Sequence, residues 1–188
     1  MCLYCGSRPG RAPTFASQAE AFGRLCAGNG IRMVYGGGSI GLMGSAARAC
    51  LDAGGRVLGI IPDHLDHVEI TMRGLTELRV VTSMHERKQQ MFTESDGFII
   101  LPGGIGTLDE FIEVATWAQL GLHAKPVLLV NLEDYWEPFL RLMQHLIDEG
   151  FAAPATADLY TVIDSIDEIL PTLSAFADRG ITERPLLL

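Results

Sequence analysis

The sequence predicts an α/β fold: a mostly parallel sheet with helices on both faces. Three observations lead there. Strand-like apolar runs alternate with helix-like stretches along the whole chain, and β-then-α repetition at this spacing builds parallel sheets through crossover helices. Residues 98–101 and 127–130 are apolar throughout, as suits strands covered on two sides. The two most glycine-rich stretches each follow such a run and precede a helix, the place where open α/β sheets receive ligands.

The elements follow in order. Residues 3–5 form a first strand, which ends in the turn Gly6-Ser7-Arg8-Pro9-Gly10. A helix is expected over 15–27, a strand over 31–35, and after a glycine loop a small-residue helix over 42–53. Residues 56–61 make the third strand. A polar segment leads to a strand at 78–81, a helix over 84–95 and a strand at 98–101. A second glycine loop enters a helix over 108–120. A strand at 126–130, a helix over 136–148, a strand at 160–163 and a helix over 166–176 complete the pattern. Neither a composition break nor a short repeat divides the 188 residues, so one domain spanning 1–188 is expected.

Composition narrows the function classes. The net charge is -9, and without a basic stripe a nucleic-acid partner is not expected. No apolar run reaches the roughly 18 residues of a membrane helix, and the first residues show neither the basic flank nor the cleavage site of a signal peptide. A cytoplasmic protein with no membrane partner is expected. Cys2 and Cys5 form a CxxC, but it falls within a strand, whereas a redox pair sits at a helix start. No second pair completes a zinc set, and the His64, His67, Asp63, Asp66 and Glu69 segment reads as a solvated polar loop; no metal is expected.

Two loops carry the anion-binding signals. Gly36, Gly38 and Gly41 match GxGxxG, which serves either a phosphate or tight strand-to-helix packing. Pro102-Gly103-Gly104-Ile105-Gly106-Thr107 leaves a buried strand and enters a helix. Its glycines expose N–H groups at a helix N-terminus, a ready anion site, and Thr107 adds a hydroxyl. Thr107-Leu108-Asp109-Glu110 also reads as a capping box. A third signal is Arg87 and Lys88, in the first turns of a helix whose dipole disfavours cations. Met84, Arg87, Lys88 and Met91 share one face. The chain has two lysines, Lys88 and Lys125, and two inward cations are costly without an anion.

Met84-His85-Glu86-Arg87-Lys88 together with Pro102-Gly103-Gly104-Ile105-Gly106-Thr107-Leu108-Asp109-Glu110 resembles the paired signature of the Lonely Guy family, the cytokinin riboside 5'-monophosphate phosphoribohydrolases, often mislabelled lysine decarboxylases. Cys5-Gly6-Ser7-Arg8, Tyr35-Gly36-Gly37-Gly38, Gly41-Leu42-Met43-Gly44 and the block from Thr116 to Gly121 follow in family order. The resemblance implies a Rossmann-like domain, a homodimer, and hydrolysis of an N6-modified AMP, or AMP itself, to free base and ribose 5-phosphate. It implies Arg87 and Glu110 as the catalytic pair, and Glu69, Lys88, Gly104, Ile105, Gly106, Thr107, Leu108, Asp109 and Thr116 as substrate-binding positions. Gly103, Ser7 and the first-loop Gly37 and Gly38 are expected near the phosphate. The family's Glu-Ile-Thr-Gly appears here as Glu69-Ile70-Thr71-Met72.

The expected chemistry passes through an oxocarbenium-like state, with Glu110 stabilising that charge or activating water, and needs no cofactor. Three rivals remain at this point. One is a nucleotide-binding or carrier protein without turnover. Another is a pyridoxal phosphate decarboxylase, which would need a Schiff-base lysine. The third is an NAD-dependent oxidoreductase resting on GxGxxG alone.

Overall fold

A computed structural model describes residues 1–66 and 71–180. Its strands are β1 (Cys2–Tyr4), β2 (Met33–Tyr35), β3 (Val57–Pro62), β4 (Glu77–Val81), β5 (Phe98–Ile100), β6 (Val127–Val130) and β7 (Thr161–Ile163). They form one sheet in the order β4-β3-β2-β1-β5-β6-β7, and neighbouring strands pair in parallel. The connecting helices are α1 (Pro13–Gly28), α2 (Gly41–Asp52), α3 (Asp63–Asp66), α4 (Met84–Thr93), α5 (Ile105–Gln119), α6 (Glu137–Asp148) and α7 (Ile169–Asp178). The α/β expectation holds, with all seven strands where the apolar runs put them.

Side chains alternate across the strands with a period of two, which splits the interior into two cores. Leu3, Cys5, Ile99, Leu101, Leu128 and Val130 face the layer of α1, α2 and α7. Cys2, Tyr4, Phe98, Ile100, Val127 and Leu129 face the layer of α4, α5 and α6. Because each central strand is buried on both sides, its sequence is continuously apolar. On the first face α1 and α2 pack backbone to backbone. A Cβ at Gly23 would lie 2.2 Å from the Ala46 carbonyl oxygen, so glycine opposite alanine sets that closeness.

The strand order reverses between β1 and β5. Strands β2, β3 and β4 run outward on one side, and β6 and β7 on the other. The loops after β1 and β5 therefore diverge and leave a crevice at the carboxyl ends of the strands. Main-chain bonds tie its floor: Gly6 N–H donates to the Pro102 carbonyl at 3.0 Å.

Local readings change in three places. Helix α5 begins at Ile105, three residues before the expected start, with Gly104 as its extended N-cap. Thr107 is therefore inside the first turn and buried, and the capping box expected from Thr107 to Glu110 does not form. Residues Ser83 to Glu86, which also spell a capping box, form it in a shifted version. The Ser83 hydroxyl accepts from Glu86 N–H at 3.1 Å, while the Glu86 carboxylate accepts from Thr82 N–H and hydroxyl, both at 2.9 Å. The polar segment after β3 contains the short helix α3. Glu69 and His67 lie outside the described residues. Met72, in the place of the family's glycine, is buried in the first core, donates its N–H to the Gly37 carbonyl at 3.0 Å and has no left-handed backbone.

Cys2 lies in β1, while Cys5 falls one residue beyond its end, and both are buried. Burial pushes the Cys2 thiol up to about 12 and that of Cys5 well above the ordinary thiol range. Neither supplies a thiolate near neutral pH.

Candidate active site

The crevice is a cleft of about 640 Å³, lined by residues 5–8, by 102–107, and by Phe15, Met43, Met84, Arg87, Glu110 and Tyr135 among others. A small-molecule ligand needs a space of this order.

One wall is the N-terminus of α5. Its first intrahelical bond runs from Leu108 N–H to the Gly104 carbonyl, so the N–H groups of Ile105, Gly106 and Thr107 precede the ladder. No side chain caps the helix, and its first turn carries no acid. Positions Gly104 and Gly106 have open space where a Cβ would stand. Among the described residues, the positive end of this 15-residue helix therefore meets the cleft without a side-chain cap. Gly103 differs: a Cβ there would lie 2.1 Å from the Thr107 hydroxyl oxygen, so this glycine lets the threonine close against the loop.

The first glycine loop has another arrangement. At the start of α2 the N–H groups of Leu42 and Met43 both point to the Gly6 carbonyl, at 3.0 and 3.4 Å. The protein's own backbone occupies the anion position. Gly37 and Gly38 are buried away from the cleft: Gly37 packs on Ile61, and Gly38 forms an isolated bridge with Thr71. A Cβ at Gly41 would fall 2.2 Å from the Ser7 carbonyl carbon.

Deep in the cleft, Arg87 from α4 meets Glu110 from α5, with Nη1 3.3 Å from Oε1 and both side chains 7% exposed. Arg87 Nε also donates to the Ile60 carbonyl at 3.2 Å. Gly36 makes room for the guanidinium, because a Cβ there would lie 2.0 Å from Nη2. Buried ion pairs contribute little net stability, so a buried pair opening on a cleft is a candidate functional feature.

Lys88 points elsewhere. Its ammonium lies 3.1 Å from Asp109 Oδ2 and 3.1 Å from Glu113 Oε1. Burial works against its charge, but the hydrogen bonds to Asp109 and Glu113 prevail and its pKa is raised. Lys88 and Asp109 thus tie α4 to α5 beside the cleft. Leu108 packs against the second core. Thr116 is exposed on α5, about 13 Å along the axis from Thr107. Of the residues expected at the site, Ser7, Arg87, Gly103, Gly104, Ile105, Gly106, Thr107 and Glu110 line the cleft; Gly37, Gly38, Lys88, Leu108, Asp109 and Thr116 do not.

The family model described as a possible lysine decarboxylase matches residues 43–173. The cytokinin riboside 5'-monophosphate phosphoribohydrolase of Rhodococcoides fascians is 46% identical over 166 residues, covering 88% of this chain and 84% of that one. This chain belongs to the same family. A cytokinin riboside 5'-monophosphate phosphoribohydrolase of Arabidopsis thaliana is 41% identical over 177 residues, covering 94% of this chain and 82% of its own. Among solved structures, the molybdenum cofactor binding protein of Rippkaea orientalis superposes with a TM-score of 0.71 at 21% identity, over 94% of this chain and 96% of that one. That likeness is one of fold.

Several cleft residues of this phosphoribohydrolase-family chain escaped the sequence reading. Arg8 lines the mouth, exposed, and among the described residues pairs with no carboxylate. Phe15, Met43, Leu65 and Tyr135 also line the cleft. Of the two methionines that the sequence puts on one face of α4, Met84 lines the cleft and Met91 lies in the second core. Arg8 could have been found, since it adjoins a strand end in a chain poor in cations. Tyr135, more than 120 positions away, carries no local signal.

Proposed function

We propose that the cleft hydrolyses the N-glycosidic bond of a cytokinin riboside 5'-monophosphate, an N6-modified AMP, and of AMP itself, releasing base and ribose 5-phosphate. The observation that carries this reading is the position of Glu110 on the same helix as the open N-terminus. Five residues, roughly 7.5 Å of helix, separate the first free N–H groups from a buried carboxylate held by Arg87. A nucleotide whose 5'-phosphate lies on residues 104–107 has its ribose directed toward that carboxylate. Binding energy at the phosphate then orients the remote bond. Glu110 stabilises the positive charge that develops on the ribose, or takes a proton from the attacking water. Arg87 orients Glu110 through their buried ion pair. Arg8 adds a cation at the mouth, where the overall charge of -9 repels anions. Apolar Met84, Leu65 and Phe15 suit the base and its N6 substituent.

The reading extends to assembly and setting. One domain over 1–188 carries the activity, in the cytoplasm; among the described residues no helix is long and apolar enough to cross a membrane. A homodimer is supported by Ile105 and Ile112, 86% and 41% exposed on one face of α5 beside the cleft. The chemistry proposed needs no metal or organic cofactor.

The test is incubation of purified protein with isopentenyladenosine monophosphate, AMP and the unphosphorylated riboside, followed by chromatography of free base. Base from the monophosphates alone, lost in Glu110→Ala, is expected. Nucleotide binding without base release would shift the assignment to a carrier.

A further inference from the structure

The second glycine loop is held from outside by a residue that the proposed chemistry does not use. The Tyr135 hydroxyl donates to the Gly103 carbonyl oxygen at 2.5 Å. The preceding carbonyl, that of Pro102, is already held by Gly6 N–H. Two consecutive carbonyls are thus turned toward the protein.

The bond from Tyr135 to Gly103 has particular weight. The peptide unit between Gly103 and Gly104 is flanked by glycines on both sides, so no Cβ resists its rotation. In a trans peptide the N–H lies opposite the carbonyl. Holding the Gly103 oxygen therefore sets the direction of the Gly104 N–H. A flipped unit would present a carbonyl oxygen, instead of a donor, to an anion at this helix end.

The tyrosine is itself held by an unusual turn. Glu133 and Asp134 both have positive φ, 53° and 54°, a region disfavoured for residues with a Cβ. Such outliers persist only where the surroundings determine them, and they cluster at ligand sites. Here both ends are fastened. Asn131 N–H donates to the Ile163 carbonyl at 2.8 Å, and the Asn131 side-chain oxygen accepts from Trp136 N–H at 2.7 Å. Trp136 is buried, while its neighbour Tyr135 stands 39% exposed at the cleft. Its ring meets Phe15 edge-on, centroids 5.6 Å apart. The turn presents one aromatic side chain to one glycine peptide.

We propose that Tyr135 is a positioning residue: its hydroxyl locks the Gly103–Gly104 peptide so that the N-terminus of α5 offers donors to a phosphate. The inference rests on the anion-loop reading above. Tyr135→Phe keeps the ring and its packing on Phe15 and removes only the lock.

Ribose 5-phosphate is the probe, titrated calorimetrically into wild type and Tyr135→Phe, alongside steady-state kinetics with AMP. Kd and KM are expected to rise together by about tenfold, the worth of one hydrogen bond to a charged group, with kcat changed less than about twofold. In 15N–1H spectra the Gly104 amide is expected to shift or broaden in the variant, a change that loss of packing elsewhere would not produce. Equal Kd for both proteins, with an unperturbed Gly104 amide, overturns the proposal even if the enzyme hydrolyses nucleotides. Weaker binding by the variant, in a protein that releases no base from any nucleotide, supports the lock and removes the hydrolase reading. No ribose 5-phosphate binding by wild type overturns both.

Discussion

Two glycine loops leave the same end of one sheet, and they do different work. In the loop after β2, glycines accommodate protein: Gly36 the Arg87 guanidinium, Gly41 the backbone of Ser7, Gly44 the carbonyl of Ser39. The helix it enters gives its first N–H groups to the Gly6 carbonyl. In the loop after β5, Gly104 and Gly106 face open space, and the helix they enter keeps its donors for the cleft. A glycine pattern reports that something comes close to the backbone. Whether that neighbour is protein or ligand depends on what fills the missing Cβ position.

The comparison can be broken or sharpened by substitution. The largest effect is expected from Glu110→Gln, which leaves both loops intact and removes the charge. Base release should fall about 10² to 10⁴-fold, while calorimetry still detects ribose 5-phosphate binding. Loss of that binding would mean that the carboxylate shapes the anion site. Next is Gly36→Ala. Its methyl would displace the guanidinium from Glu110, and kcat/KM should fall about 100-fold with the ribose 5-phosphate Kd unchanged. A weakened Kd would instead make the first loop a ligand loop. Gly41→Ala combines a positive φ of 61° with a backbone collision. It should destabilise by about 1–3 kcal/mol, read as a lower urea midpoint. The smallest effect belongs to Gly106→Ala. Alanine in the first helical turn should stabilise by up to about 1 kcal/mol, yet raise KM for AMP by intruding on the cleft. Stabilisation with unchanged KM would remove Gly106 from the phosphate site.

Much of this was legible in the chain. The seven strands were, because strands buried on two faces are continuously apolar. Arg87 stood out as a cation in the first turns of a helix, where only an acid or an anion justifies it. Lys88, its neighbour, gave the same signal and meets Asp109 and Glu113 instead. Adjacent helical positions point about 100° apart, and that rotation separates a residue facing the cleft from one that bridges α4 to α5. Tyr135 was invisible, because its role depends on a turn of two left-handed residues and on a loop more than 30 positions earlier.

By itself, the sequence determined the fold class, the element order, both glycine loops, the Arg87 and Glu110 positions and the family. All of these rest on local composition, periodicity or contiguous motifs. The tertiary structure alone decided which loop presents free donors, which cation reaches the cleft and which distant residues line it. These depend on how the chain ends of β1, β2, β5 and β6 converge, and a backbone carbonyl such as that of Gly6 can fill an anion site without leaving a mark in the residues around it.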